Sequence, residues 1–171
     1  MSTIDIFKAN LRGGGARANQ FSITFPTNVV QIPRESEFLC KSAALPGQTV
    51  TEIPVPFRGR NLYVAGDREF ETWDSTFIND TSFNIRTAIE NWMNAMNNLV
   101  DNTGLANVSD YTSNVLIKQL GRDNVILKTY TLINCMPTVI APIDLSMETA
   151  SAIEEFAVTW RYTHFITSGV S

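Results

Sequence analysis

The sequence predicts a mainly β domain: an antiparallel β-sandwich or barrel with one flanking α-helix and a long extended arm. Three observations carry this. Period-two alternation recurs, first at Phe21, Ile23 and Phe25 and again at Phe156, Val158, Trp160 and Tyr162, the pattern of strands with one buried face. A single segment carries an apolar stripe at helical spacing, through Ile85, Ile89, Trp92 and Met96, as a helix covering a sheet requires. Strands do not alternate with helices, which disfavours a doubly wound nucleotide-binding sheet. The 171 residues suit one domain, and a chain of this size buries a core without a metal or disulfide staple.

Taken in order, Ile4, Phe7 and Leu11 predict a short N-terminal helix, and Gly13, Gly14 and Gly15 break it. Residues 1–18 therefore read as an N-terminal arm and 19–171 as a single β-domain. Gln20 to Phe25 is the first strand, with a turn marked by Pro26 and Asn28. Glu37 to Leu45 reads as the second, closed by Pro46 and Gly47. Residues 46–68 are rich in proline, glycine and charge and form an inserted arm. Within it, Val50–Val55 and Asn61–Val64 have the composition of extended chain, as in a long hairpin. Phe70 to Asn79 is a further strand, rich in aromatic and β-branched residues.

A helix is predicted over about 81–98, with Asp80 or Thr81 as its cap, because a side-chain oxygen there accepts from an unpaired amide. Ala88 and Met93 widen its apolar stripe, while Arg86, Glu90, Asn91, Asn94 and Asn97 fall mostly opposite. Asp101 to Asn114 reads as a surface loop. Val115–Leu120 and Val125–Cys135 read as strands joined through Gly121, Arg122, Asp123 and Asn124. Pro137 and Pro142 bracket a bend, Ile143–Glu148 has the character of another strand, and Ile153–Phe165 is the clearest strand in the chain. The candidate core is Phe21, Ile85, Ile89, Trp92, Phe156, Val158, Trp160 and Tyr162. Thr159, Arg161 and Thr163 occupy the opposite face of the last strand.

The composition excludes several functions. Net charge is −4 and no lysine- or arginine-rich run occurs, so the concentrated basic surface of a tight phosphate binder is missing. Charged residues make up 18%, below the soluble average of about 25%, a hint of surface buried by oligomerisation. No apolar run reaches the length of a membrane span, and the first residues lack a signal-peptide core, so a protein made and kept in a cytoplasm is expected. Cys40 and Cys135, 95 positions apart, read as buried free thiols. His164 stands alone, with no G-x-S-x-G elbow, and one histidine with two scattered cysteines matches no zinc spacing. The glycine triplet lacks the phosphate-loop pattern. Glu154 and Glu155 are strand neighbours and point to opposite faces. No catalytic residue, cofactor or metal is expected.

The informative stretch runs from Cys40 to Trp73. Cys40, Lys41, Leu45 and Pro46 are followed by Ile53, Pro54 and Val55, then by Val64, Ala65, Gly66, Asp67, Arg68, Phe70 and Trp73. This resembles the tail tube proteins of contractile-tailed phages. The likeness extends over roughly residues 20 to 165, through Asn79 and Asp80 opening the helix, Trp92, and Pro137 and Thr138 after a strand; the N-terminal arm departs most from the family pattern.

The resemblance implies a structural, non-catalytic protomer of the virion tail, assembled in the host cytoplasm. Six copies would form a ring, and rings would stack into a hollow tube inside a contractile sheath. DNA and a tape-measure protein would pass through the lumen without tight binding. The implied partners are further copies of the chain, the sheath protein, and baseplate and tail terminator proteins, with no membrane. The same fold serves bacteriocin particles, injection systems and baseplate hubs, so a tube or hub protein of such a particle is the alternative. At −4 per copy a six-membered ring carries −24. The arm would dock on a neighbouring subunit or the next ring, with Arg58, Arg60, Asp67 and Arg68 in inter-subunit ion pairs and Pro54 and Phe57 beside them. Thr159, Arg161 and Thr163 are the channel-face candidates.

Overall fold

The structure, a computed structural model, describes residues 3–25, 29, 31–148 and 151–169. The turn expected at Pro26 and Asn28 lies outside them. The strands are β1 (Phe21–Thr24), β2 (Cys40–Ala43), β3 (Thr49–Phe57), β4 (Arg60–Glu69), β5 (Trp73–Ile78), β6 (Ser113–Leu120), β7 (Ile126–Ile140), β8 (Glu155–Arg161) and β9 (His164–Gly169). The α-helices are α1 (Thr3–Asn10), α2 (Ser36–Leu39), α3 (Asn84–Met96) and α4 (Val108–Tyr111). The body is one sheet in the order β1-β6-β7-β8-β5-β2, with β9 also beside β7, and all its pairs are antiparallel. Strands β3 and β4 form a separate two-stranded sheet.

The sheet doubles over because β7 bends. Its first half pairs β6 and β9, with Lys128↔Gly169 through Ile133↔His164 on the β9 side. Its second half pairs β8, from Met136↔Arg161 to Ile140↔Val158. The corner falls at Asn134, which has φ 53°, a left-handed conformation that asparagine tolerates better than most residues. The chain opposite turns at the same level, between Arg161 and His164, where the Thr163 amide donates to the Ile133 carbonyl at 3.0 Å. Two layers result, β1-β6-β7-β9 and β7-β8-β5-β2.

The core lies between them. Phe25 of the first layer meets Trp160 of the second at a ring separation of 5.2 Å, and Trp73, Trp92 and Phe77 complete the aromatic cluster. Helix α3 brings Ile85, Ala88, Ile89 and Trp92 to the core. All three indole N–H groups find acceptors: Trp160 on the Ser75 hydroxyl at 2.8 Å, Trp92 on the Tyr111 carbonyl and Trp73 on the Ala44 carbonyl, each at 2.6 Å. Phe156, Val158, Trp160 and Tyr162 are buried, as are Ile85, Ile89 and Trp92, while Phe21 is half-buried and packs against the cluster.

Several local expectations need correction. The segment from Glu37 opens as a helical turn and pairs only over Cys40–Ala43. The strand expected from Phe70 begins at Trp73. Helix α3 starts at Asn84 instead of about 81, and its entry residue is Phe83 with φ 54° and no side-chain cap. Asn79 is instead drawn to the residue just before β8, where its amide and side chain donate to Glu154 at 2.8 and 3.0 Å. Residues 101–114 contain the turn of α4 and the start of β6.

Pro137 lies inside β7, at the register shift between Pro137 and Val139, a place where a missing donor is tolerated. Ile143–Glu148 forms no strand. Ile153–Phe165 divides into β8 and the start of β9, because a straight strand cannot follow both halves of a bent partner.

Trp160→Ala is expected to lower the unfolding free energy by about 3–5 kcal/mol, the usual cost of emptying a buried aromatic site. Thr159→Ala, on the other face of the same strand, removes only a hydrogen bond to Asp74 and should cost about 0.5–1.5 kcal/mol. Urea denaturation of the two variants measures the contrast.

Candidate functional site

The described residues gather no reactive constellation. No group of three or more His, Cys, Asp or Glu among them is placed to hold a metal ion, and none of their helices is long and apolar enough to cross a membrane. His164 is exposed at the head of β9. Cys40 and Cys135 are free and buried, and desolvation raises both thiols from the ordinary 9.0 to about 12. A neutral, enclosed thiol is a poor nucleophile.

The exposed features belong to the arm and the sheet edges. The arm extends the connection between the adjacent strands β2 and β5. Its base is pinned by Trp73, the first residue of β5, whose indole donates to the carbonyl of Ala44. Toward the other end of β5, Lys41 reaches across to Glu155 at 2.6 Å. Leu45, Pro46 and Trp73 thus lie at the entry and exit of the arm, while Cys40 and Lys41 belong to β2. Gly66 has its own reason: a Cβ there would sit 2.6 Å from Thr51 Oγ1, at the register shift between Val50 and Glu52. The Thr51 hydroxyl donates to the Asp67 carbonyl at 3.0 Å in the same place.

At the tip, Phe57 pairs Arg60 across Arg58 and Gly59, which have φ 46° and 81°. Two positive φ angles in a two-residue loop are those of a type I′ hairpin turn. Arginine is an unusual occupant of such a position, and the Arg58 guanidinium lies 5.3 Å from the centroid of the Phe57 ring.

The pairing Ile53↔Val64, Val55↔Leu62 and Phe57↔Arg60 puts Ile53, Val55, Phe57, Leu62 and Val64 on one face of the hairpin. Pro54, Pro56 and Tyr63 lie on the other. Pro54 and Phe57, grouped by the sequence reading, therefore face opposite ways. The apolar five are 44–67% exposed. Arg58, Arg60, Asp67 and Arg68 are exposed and make no salt bridge with any of the described residues. Arg58 and Arg60 sit at the tip, whereas Arg68 lines a cleft at the base with Glu69, Phe70, Arg161, Tyr162 and Thr163. The fold so brings one arm candidate together with two of the channel-face candidates. The third, Thr159, lies outward on β8, where its hydroxyl donates to Asp74 at 2.6 Å.

The sequence reading singled out neither sheet edge. The outer sides of β1 and β9 pair with no strand among the described residues, and Phe38, 85% exposed on α2, stands near the β1 edge. The register puts Thr24, Leu116, Thr131 and Ile166 on the outer face of the four-stranded layer, opposite buried Ile23, Val115, Ile117 and Leu132. Alternation in β1 and β6 hinted at this face. The free edges had no sequence signal, since pairing partners are a property of the folded sheet.

Comparison with known proteins gives the class of this β-body and its arm. Residues 16–168 match the family model described as phage tail tube protein. The chain belongs to that family, the one that the motifs between Cys40 and Trp73 indicate. It is 28% identical to the tail tube protein gp19 of Enterobacteria phage T4 over 156 residues, covering 91% of this chain and 93% of that protein. It is also 28% identical to the tail tube protein of Serratia phage KSP90, covering 95% of each.

Solved structures share the fold at lower identity. A chain of the anti-feeding prophage baseplate superposes with a TM-score of 0.70 at 14% identity, covering 91% of this chain and 96% of that one. A chain of the sheath-tube complex of an extracellular contractile injection system superposes with a TM-score of 0.61 at 16% identity, covering 99% of each.

The buried thiols supply a test. At neutral pH both cysteines should resist alkylation in the folded protein and react on unfolding; fast labelling of the native chain would contradict their burial. Above pH 9 the unfolded chain loses thiol protons that the folded chain keeps up to about 12. The unfolded state is thereby favoured, so stability should fall as pH rises through that window.

Proposed function

We propose that the chain is the non-catalytic repeating protomer of a contractile-tail tube. Copies close into hexameric rings, the rings stack into a hollow tube inside the sheath, and DNA and a tape-measure protein pass along the lumen. Sheath, baseplate and tail terminator proteins are the further partners, and assembly takes place in the host cytoplasm. The observation that carries the reading is the four-stranded layer β1-β6-β7-β9, with no strand beside either edge among the described residues. Edges of this kind invite pairing unless another chain covers them. Joining the β9 edge of one copy to the β1 edge of the next makes a heterologous contact, which closes when the rotation per subunit is right. Because β1 and β9 run antiparallel within a layer of four strands, the alternation of direction continues unbroken around such a ring.

On this reading the outer face of that layer lines the channel, with Thr24, Lys118, Thr129, Thr131, Ile166 and Ser168 on it. A wall of hydroxyl and aliphatic groups with few charges gives DNA phosphates little to hold. The alternative channel face, at Thr159, Arg161 and Thr163, is favoured only by the exposure of Arg161 and Thr163. A tube or hub of a phage-like bacteriocin or injection particle is the alternative function, and the shared fold of the injection-particle chains supports it equally.

Ring stacking falls to the arm, docked on a neighbouring subunit or the next ring. A lone two-stranded hairpin is only marginally stable in water. Arg58, Arg60, Asp67 and Arg68 then find carboxylate or guanidinium partners across the contact, with Pro54 and Phe57 beside them.

Negative-stain electron microscopy of the purified protein, with a baseplate seed if needed, should show hollow stacked rings. Chains that stay monomeric even when seeded would sink the tube reading. Arg68→Ala and Phe57→Asp should each reduce polymer yield while changing folding stability by no more than about 0.5 kcal/mol, as surface substitutions do. In assembled tubes, Thr131→Cys should be shielded from a bulky maleimide that labels Thr159→Cys. The reverse pattern would move the channel to the β8 face.

A further inference from the structure

The two edges of the four-stranded layer differ in access. Along β9 every residue except half-buried Phe165 is exposed. Along β1, Phe21, Ser22 and Thr24 are half-buried and Ile23 is 0% exposed. The Leu120 amide donates to the Gln20 carbonyl at 2.9 Å, and Phe21↔Gln119 follows in register. Antiparallel alternation then turns the backbone groups of Ser22 and Thr24 toward β6 and those of Ile23 outward, to the free edge. The outward N–H and C=O of Ile23 have no partner among the described residues, and solvent does not reach them.

Helix α2 accounts for the cover. It packs against β1, β2 and β5, and so spans the seam between β1 and β2, the end strands of the two layers. Glu37 ties it to β1, because its carboxylate accepts from the Ser22 hydroxyl and, at 3.4 Å, from that of Thr24. We propose that α2 is a latch on the β1 edge. It closes the edge in the free chain and swings off when the β9 strand of another copy pairs there. The proposal rests on the tube reading above and states how its strand contact is regulated.

The two states exclude each other. An added strand lies about 4.8 Å from β1 and needs the backbone groups of Ile23 bare. The closed state has a built-in weakness, since burying an N–H and a C=O without partners is unfavourable. An arriving strand pairs both groups. The latch itself is slight: a single turn of four residues with no side-chain cap, carrying Phe38 at 85% exposure. Water can replace the hydroxyls that Glu37 gives up on release.

Covering an edge with a helix is one way proteins prevent uncontrolled strand pairing. Here one cover suffices, because β9 of one copy has nothing to join while β1 of the next is closed. Apparent affinity for an incoming strand falls by the fraction of chains that are open, so growth from an open seed is favoured over spontaneous ring formation.

Unseeded assembly, followed by sedimentation and negative-stain microscopy over a range of protein concentrations, tests the latch. Glu37→Ala removes a charged hydrogen-bond acceptor and should lower the threshold concentration for tubes about tenfold. Glu35→Ala removes the same charge from an exposed residue whose side chain does not cap α2, and should leave the threshold unchanged. Ser22→Ala takes the bond away from the strand side, should shift the threshold in the same direction, and covers the case in which Glu37→Ala does not fold. Bridging Ser22→Cys/Glu37→Cys with a short bis-maleimide should stop chains from adding to seeds; the native thiols do not interfere, because both are buried. An unchanged or raised threshold in folded variants that still form tubes, or growth of tubes from bridged chains, would overturn the latch and leave the tube reading intact. An unaltered chain that forms no tubes even with a baseplate seed would overturn both.

Discussion

The bend shared by β7 and the chain opposite it governs the molecule. At Asn134 the long strand turns, and between Arg161 and His164 its neighbour turns with it, held by the amide of Thr163 on the carbonyl of Ile133. One continuous set of pairings thereby becomes two layers facing each other. The aromatic cluster around Trp160 fills the space between them, and α3 adds Trp92 to it. Straighten β7 and Phe25 no longer meets Trp160. The same bend creates the exposed edge, since β9 departs from β8 and keeps β7 as its only strand partner among the described residues.

The arm obeys a different constraint. It has no core of its own, and its stability within the chain comes from a ladder, a tight turn and the indole pin at its base. Residues that look arbitrary in a row of letters have local tasks there. Gly66 admits Thr51 at a register shift, Arg58 and Gly59 close the tip, and Trp73 ties the exit to the entry. What the arm exposes is then a regular apolar face with a charged tip and base. Burying that face would remove roughly 25 cal/mol of unfavourable free energy for each Å² covered, a physical motive for the proposed stacking.

A subunit of this kind separates stability from assembly. The body has its tryptophan N–H groups satisfied and its thiols enclosed, so it folds without reactive chemistry on view. The surfaces left exposed include two sheet edges and the apolar face of a hairpin. Membership of the phage tail tube family accords with that division.

Much of this was legible in the residues. Alternation from Phe156 to Tyr162 and the stripe from Ile85 to Trp92 determine which side chains enter the core, because one face of each element must leave water. The motif from Cys40 to Trp73 marks the arm and the family. Local pattern does not determine where a strand bends or with what it pairs. Ile153–Phe165 reads as one strand because its alternation is continuous, and only pairing with a bent β7 divides it. Asp80 and Thr81 are good capping residues, yet Asn79 is held by Glu154 and the helix opens at Asn84, since a contact between distant segments outweighs a local preference. Ile143–Glu148 has strand-like residues but no neighbour to pair with. The free edges of β1 and β9, and the single apolar face of the arm, are likewise consequences of register, and register exists only once the chain has folded.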